Sequence, residues 1–456
     1  MRAIEFGLIG HPLGHSLSPF IHQSLLEAAG LPGVYRLIDL LPDELAVNIP
    51  DLKRDLSGFN CTIPFKEAII PLLDDLDPEA AKYLSVNTVW QGLGYNTDYQ
   101  AFIDECPAMA GHKIMILGAG GVSRMMAFAA AAAGAEICIM ARRTEQSSAL
   151  AAAVCRVYPD CRITTTPELA EWLSNDPFAS EGQKPWGLLN GTPLGLWPNT
   201  SGMPFPPELL SHFNWVFDTI YNPPATRLVL AARSRGIPAF NGLGMLFNQA
   251  VAAEKIWHPG LEFAADDLIR IRSQLAKIVL SQFPTAILLT GFMGSGKTTV
   301  GEIIAAQLGQ AFIDLDQVIV DSANQSITEI FATSGEPVFR FMEREQLALL
   351  LQNTHSQIIA TGGGALIDPA AEIIVREKPA LIVYLDTPLS LIRSRVGSGE
   401  GRPLLNEQGE DRLESLFMQR RARYLALADL RVDGTGSPEE IAAAIIAGLG
   451  YEGEKK

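Results

Sequence analysis

The sequence predicts an α/β protein with parallel-sheet units, and three observations carry that expectation. Short apolar runs alternate with stretches of helical periodicity along the chain. Two glycine-rich turns, GAGGVS (118–123) and GFMGSGKT (291–298), each lie between a strand-like run and a helix-like one. The 456 residues leave room for roughly three domains of ~150 residues each.

Composition narrows the classes. A hydrophobic fraction of 48% and a charged fraction of 19% fit a globular chain with ample core. A net charge of −16 argues against an electrostatic grip on nucleic acid or an anionic membrane, so cationic sites must be local. Cys61, Cys106, Cys138, Cys155 and Cys161 form no C-x-x-C pair, which suits a reducing cytoplasm. No apolar run approaches the length of about eighteen residues that spans a membrane, and MRAIEFGLIGHPLGHS does not read as a signal peptide. Small-molecule substrates are therefore the expected partners, with oligomeric state left open.

In chain order, residues 4–10 read as a strand, 11–19 (HPLGHSLSP) as a turn-rich loop and 20–29 as a helix. GFNCTIPFK (58–66) reads as a strand that Pro64 ends or bends. VNTV (86–89) and GYNTD (94–98) follow. HSLSP, N-x-T-x-P-x-K, VNTV and NTD in this order resemble the substrate domain of shikimate dehydrogenase. With later motifs the likeness covers about residues 1–280, with a substrate domain over 1–110. It implies that Ser16, Ser18, Asn60, Thr62, Lys66, Asn87 and Asp98 line a shikimate site. Reducing a ketone by hydride needs a proton donor beside the developing alkoxide, which assigns Lys66 as the acid/base group and Asp98 as its partner. The hydroxyls and amides suit a polyhydroxy acid. His11, His15 and His22 read as structural rather than metal ligands. The family usually has small residues where this chain has Leu84-Ser85, and a glycine where Tyr99 stands. Tyr99 is expected to narrow the site or alter selectivity.

Residues 113–117 (KIMIL) form a buried-strand pattern that enters the GAGGVS turn, followed by a helix over 125–133 and a strand over 136–140. Gly118, Gly120 and Gly121 would cradle a pyrophosphate, with Ser123 in the third, small position. After the second strand come Arg142, Arg143 and Thr144 where NAD-binding proteins place an acid. Two guanidiniums and a hydroxyl suit a 2′-phosphate, so the cofactor is expected to be NADP. NGTPLGL (190–196), FDTIYNPPATRL (217–228) and NGLGMLFNQA (241–250) resemble later motifs of the same family. They imply that Tyr221 and Gln249 join the substrate site and that Gly242 and Met245 approach the nicotinamide. The Rossmann NADP-binding domain is set at 111–280, closed by an amphipathic helix over 266–280. SQFPT (281–285) is a linker too short for a long flexible tether.

The last unit, 286–456, starts with strand AILLT and the P-loop pattern G-x-x-x-x-G-K-[ST]. Gly291, Gly294 and Gly296 let backbone N–H groups wrap a nucleotide's phosphates, with Thr299 at the helix start. Lys297 would reach the terminal phosphates of ATP, and Thr298 would sit on Mg²⁺. FIDLD (312–316) is expected to end a strand with Asp314 and Asp316 on one side. Arg340 and Glu343 share a face of a helix over 336–345. TGGG (361–364) is a second glycine turn, and 395–412 reads as a lid. GFMGSGKTT, D-x-D, FR-x-x-E, ATGGG and RPLL resemble shikimate kinase, a P-loop kinase. That likeness implies that Asp316, Arg340, Gly362, Gly363, Gly364 and Arg420 hold shikimate, with Arg340 and Arg420 on its carboxylate. It implies Mg²⁺ on Asp314 and Thr298, and Asp316 on the attacked hydroxyl. Arg402 would close over the phosphoryl group and Arg395 would lie near adenine. Arg420 competes with Arg423 for its place, and Asp429 and Asp433 read as surface carboxylates.

Both likenesses converge on one metabolite. The expectation is one chain that reduces 3-dehydroshikimate with NADPH and then phosphorylates the 3-hydroxyl of shikimate. Two rivals concern the first half: a quinate-type dehydrogenase, motivated by Tyr99, and a shikimate-binding module of weak activity.

Overall fold

The computed structural model describes residues 4–451 except 15, 171–185, 354 and 397–408. Among the described residues, three sheets follow one another along the chain. The first has six strands in the order β2-β1-β3-β5-β6-β4. They are β1 (Glu5–Gly10), β2 (Val34–Asp39), β3 (Gly58–Cys61), β4 (Asp75–Leu76), β5 (Thr88–Trp90) and β6 (Leu93–Tyr95). β1 pairs parallel with β2 and β3, whereas β5 is antiparallel to both β3 and β6. Its core gathers Ile9, Phe59, Phe65 and Val89.

The second sheet contains β7 (Lys113–Leu117), β8 (Glu136–Met140), β9 (Ile163–Thr166), β10 (Trp186–Asn190), β11 (Phe213–Asp218) and β12 (Ala239–Phe240). All its pairings are parallel. Its order, β9-β8-β7-β10-β11-β12, is the 3-2-1-4-5-6 arrangement of a doubly wound dinucleotide fold, with the switch point between β7 and β10. The helix Leu243–Trp257 leaves this unit and packs on the helix Ser18–Ala28 of the first, through Leu17, Ile21, Leu25, Leu243 and Phe247.

The third sheet is also parallel: β14 (Ala311–Asp314), β15 (Gln357–Ala360), β13 (Ala286–Thr290), β16 (Ala380–Asp386) and β17 (Leu430–Asp433), in that order. β13 and β16 are buried along their whole length, as helices on both faces require.

Several expectations are corrected. The strand expected to run from Gly58 into Pro64 stops at Cys61; Pro64 caps a one-turn helix, Phe65–Ala68, and Lys66 rides on it. Asp314 and Asp316 do not share a strand face. β14 ends at Asp314, whose side chain caps the helix Leu315–Ala323, and Asp316 lies in that helix's first turn. Period-two alternation fails because the backbone changes state between the two carboxylates. The helix over 336–345 belongs to Ile327–Leu350, which breaks at Gly335 (φ 79°) ahead of Pro337. Asp429 is not a surface group, its side chain being 5% exposed.

The connector is rigid in its contacts. The helix Ala265–Gln282 runs almost to β13, and Phe283 and Thr285 are buried. The Ser356 hydroxyl donates to Leu280 O (2.8 Å) and accepts from Thr285 N (3.1 Å), while Trp197 Nε1 donates to Pro284 O (2.9 Å). One apolar cluster runs from Phe213, Leu228 and Val229 to Ile445, Leu449 and Tyr451. The second and third units are packed together, not tethered.

Candidate active sites

Lys66 and Asp98 come from two short helices whose starts face each other. Lys66 Nζ donates to Asp98 Oδ2 at 2.6 Å, with the side chains 23% and 14% exposed. Val86 N donates to Lys66 O (2.8 Å), which ties that turn to the VNTV segment. Around them lies a saturated amide frame. Asn60 Nδ2 donates to Asn87 O (3.1 Å) and Thr88 Oγ1 (3.0 Å), and its Oδ1 accepts from the Tyr35 hydroxyl (2.7 Å). Asn87 Nδ2 donates to Thr97 Oγ1 (2.9 Å) and Gln249 Oε1 (3.4 Å), and its Oδ1 accepts from Thr97 N (2.8 Å). Both asparagines are buried, so their first job is to hold the frame. Ser16 Oγ accepts from Ser18 N (3.3 Å) in the loop after β1, and Thr62 N is bonded to Ile9 O (2.9 Å). Tyr221 stands on a separate loop with its ring 6.3 Å from that of Phe283, and burial pushes its hydroxyl up to about 12. The Tyr99 ring does not point at Lys66: it stacks on Tyr83 at 4.7 Å and joins the cluster around Phe128.

The glycine turn opens at the switch point of the second sheet. Gly118 has φ +93°, which a side chain would strain, and a Cβ at Gly120 or Gly121 would meet no atom within 4 Å. This open backbone cradle and the start of the helix Gly121–Ala132 suit a pyrophosphate. Ser123 fills the third position inward, its Oγ donating to Leu117 O (3.3 Å). Arg142, Arg143 and Thr144 are exposed at the end of β8, where guanidiniums fit a 2′-phosphate. Gly242 lies so close to Thr219 O that a Cβ would come within 2.0 Å of it, and Met245 is a core residue at 8% exposure.

The third sheet holds a cleft of about 380 Å³ at the ends of β13, β14 and β15. Gly291, Gly294 and Gly296 all have positive φ, and Lys297 opens the helix Lys297–Leu308. Lys297 Nζ rests on the carbonyls of Gly291 (3.0 Å) and Phe292 (3.1 Å). Thr298 Oγ1 donates to Asp314 Oδ2 (2.9 Å), and Thr299 is exposed beside it. Arg395 Nη1 approaches Gly294 O (3.4 Å), so its guanidinium stands at the phosphate loop. Across the cleft, Arg340 Nη1 donates to Glu343 Oε2 (2.5 Å), and Arg420 Nη1 to Gly363 O (3.2 Å). A Cβ at Gly362 would sit 2.6 Å from Asp316 Oδ1, and one at Gly364 would sit 2.3 Å from Arg340 Nη1. Only glycines let these charges close over the turn. Asp316 Oδ1 and Glu343 Oε1 are buried without a hydrogen-bond partner. Burial, then the neighbouring Asp314, raises the Asp316 carboxyl, and burial outweighs Arg340 in pushing Glu343 up to about 7. Arg420 lines the cleft, whereas Arg423 turns to Glu372 (2.7 Å). Arg402 lies outside the described residues.

Sequence reasoning paired Glu343 with Arg340 but gave it no role, and it passed over Tyr35 and Tyr424, whose hydroxyls bond Asn60 and Gly363 O. The three-residue spacing from Arg340 was the available signal for Glu343; the tyrosines had none. A separate surface cleft of about 560 Å³, between Phe20–Ala28 on one helix and Arg270–Ile278 on another, touches none of these residues.

A dinucleotide fold with a lysine–aspartate pair, followed by a P-loop unit with an acidic and basic cleft, defines an oxidoreductase joined to a phosphotransferase. The model of the shikimate dehydrogenase substrate-binding domain matches residues 8–89, and that of shikimate kinase matches residues 293–449. The NADP(+) shikimate dehydrogenase of Moorella thermoacetica is 38% identical over 260 residues, covering 55% of this chain and 86% of that protein. The crystal structure of shikimate 5-dehydrogenase from Thermus thermophilus with NADP(H) and shikimate matches at TM-score 0.51 and 31% identity, over 60% of this chain and 99% of the other. A chorismate mutase/shikimate 5-dehydrogenase fusion from Clostridium acetobutylicum matches at TM-score 0.53 and 28% identity, over 61% and 99%. The chain belongs to the shikimate dehydrogenase family and carries a C-terminal shikimate kinase domain. It is a bifunctional enzyme of the shikimate pathway that uses NADP and ATP. Among the described residues, no helix is long and apolar enough to cross a membrane.

Proposed function

We propose that residues 1–280 reduce 3-dehydroshikimate to shikimate, and that residues 286–456 phosphorylate its 3-hydroxyl. The first part comprises a substrate domain (1–110) and an NADP-binding domain (111–280), in a cytoplasmic protein. The observation that carries it is the 2.6 Å Lys66–Asp98 pair, largely shielded from water in the first unit. The 118–121 turn and Arg142, Arg143 and Thr144 would hold NADPH, which would supply the hydride when bound. Lys66 delivers a proton to the ketone oxygen as negative charge develops there, and Asp98 keeps the ammonium aimed. Ser16, Ser18, Thr62, Tyr221 and Gln249 bind the hydroxyl and carboxylate groups, while Asn60 and Asn87 fix their positions.

In the second site Arg340 and Arg420 bind the shikimate carboxylate, and the 362–364 turn backs the ring. Asp316 accepts the hydrogen bond of the attacked hydroxyl and takes its proton as the new P–O bond forms and the bond from the γ-phosphorus to the departing ADP oxygen breaks; burial already raises its basicity. Lys297 shifts from loop carbonyls to the phosphate oxygens. Asp314 and Thr298, with an unpaired Asp316 oxygen nearby, form a hard-donor set that fits Mg²⁺. The ion would neutralise phosphate charge. Purified full-length chain with Lys66→Ala tests the first assignment. Reduction should slow by about 10²–10⁴-fold with phosphorylation intact; an unchanged rate would remove Lys66 from the mechanism.

A further inference from the structure

We propose that the kinase domain is a positioning element for the dehydrogenase site, acting through Asp429 and Arg227 on the loop that carries Tyr221. This rests on reading Tyr221 as a substrate residue. The loop, 219–226, joins β11 to the helix Arg227–Arg233. Its far end is fixed from beneath: Thr226 Oγ1 donates to Asp218 Oδ2 (2.6 Å), and Asp218 Oδ1 accepts from Asn190 Nδ2 (2.9 Å) and Ile220 N (3.1 Å). The next residue crosses to the other domain. Arg227 Nε lies 3.0 Å from Asp429 Oδ1, with side chains 15% and 5% exposed, and Arg227 Nη1 donates to Ser201 O (3.3 Å).

Asp429 is itself immobilised on the kinase side. Arg376 Nη1 donates to both its oxygens (2.9 and 3.1 Å), and Ile382 N donates to Oδ2 (2.8 Å). The loop also meets the kinase at Pro224, where a Cβ on Gly450 would lie 3.2 Å away. Arg233 Nη1, at the far end of the same helix, donates to Gly448 O (3.1 Å). On its other side Trp197 N donates to Asn222 O (2.9 Å), and the Tyr221 ring abuts Phe283 of the connector. The Tyr221 loop therefore has walls from three places, and two of them belong to the connector and kinase. Breaking this ion pair would strand the Arg227 guanidinium, which is only 15% exposed, without its carboxylate, while Asp429 would keep Arg376, so the cost falls on the Tyr221 side. A kinase carboxylate thus sets where a dehydrogenase substrate residue stands.

The test uses the full-length chain and follows both activities in one preparation. Arg227→Gln and Asp429→Asn should each raise the dehydrogenase KM for shikimate by about tenfold, while kcat changes by less than about twofold. Asp429→Asn is the sharper variant, because it lies in the kinase half. Arg227→Lys should bring KM back to within about twofold of the parent, since it keeps the charge. If either neutral variant lowers dehydrogenase kcat with KM unchanged, the pair only supports folding and the proposal is overturned. Tyr221→Phe separates the two readings. A KM rise there with none in Arg227→Gln or Asp429→Asn overturns this proposal alone; no rise in Tyr221→Phe overturns the Tyr221 assignment and this proposal with it. If Arg227→Gln does not fold, Asp429→Asn and Arg227→Lys carry the same test.

Discussion

The two active sites solve one recognition problem with opposite electrostatics. In the candidate dehydrogenase site the amides are already paired: Asn60 and Asn87 spend both donors on Asn87 O, Thr88, Thr97 and Gln249, and Lys66 has the Asp98 carboxylate at 2.6 Å. In the kinase cleft Asp316 Oδ1 and Glu343 Oε1 are buried with no partner, and Arg340 and Arg420 face the same small space. A hydride transfer with one proton needs a single aimed donor, so a closed frame serves it. Phosphoryl transfer must gather nucleotide phosphates, metal and acceptor, so its groups are kept under electrostatic tension until those arrive. Pre-paired polar groups signal a frame, and unpaired buried ones signal where charge will be accepted.

The largest test of this contrast on the kinase side is Lys297→Ala. Phosphorylation should fall by at least about 10²–10³-fold, with reduction of 3-dehydroshikimate unchanged, in parallel rate assays on one sample. An intact phosphorylation rate would remove the P-loop assignment.

A smaller effect concerns protonation. Glu343 is raised to about 7 by burial, against the pull of Arg340. Below that pH it is neutral and Arg340 keeps only the half-exposed Glu336 (2.9 Å) as a carboxylate partner, which eases the proposed contact with the shikimate carboxylate; above it the Glu343 anion competes. The kinase KM for shikimate should therefore fall as pH drops through about 7, by up to tenfold per unit. Glu343→Gln should flatten that profile. The dehydrogenase KM, measured in the same buffers, should lack an inflection traceable to Glu343, because its frame is amide.

The smallest expected effect separates scaffold from chemistry. Leu84 ends the helix Pro78–Tyr83 with φ 51°, a conformation that costs a branched side chain roughly 1–2 kcal/mol. Leu84→Gly should raise stability by up to about 1 kcal/mol, after the entropy lost by glycine, with both KM values unchanged. Thermal melting checks this; a lower Tm would show that the exposed Leu84 side chain matters more than its backbone.

How far the sequence could be read follows from what each feature needs. The two glycine turns were legible because their spacing alone dictates a positive-φ backbone between strand and helix. Gly118, Gly291 and Gly296 have the positive φ that the spacing implies. The Asp314–Asp316 geometry was not, since alternation assumes a strand running through Asp316, whereas β14 ends at Asp314 and a helix begins at Leu315. The motif singled out Lys66 as a candidate, and the structure pairs it with Asp98, but its helix was hidden by reading Pro64 as the end or bend of a strand. Tyr99 looked like a selectivity residue because it replaces a glycine beside Asp98; only tertiary packing turns its ring onto Tyr83. Asp429 read as solvated because its partners, Arg376 and Arg227, are far away in sequence. Local geometry is written in short spacings, whereas burial of a charge is decided by long-range contacts.

The central claim is that the product of the first site is the substrate of the second. The most direct measurement supplies 3-dehydroshikimate, NADPH, ATP and Mg²⁺ to the full chain and follows NADPH oxidation and ADP release together. The account predicts one ADP for each NADPH consumed, with no ADP formed when NADPH is withheld. NADPH oxidation without ADP, in a sample that phosphorylates added shikimate, would contradict it: the first site would then be making a different molecule.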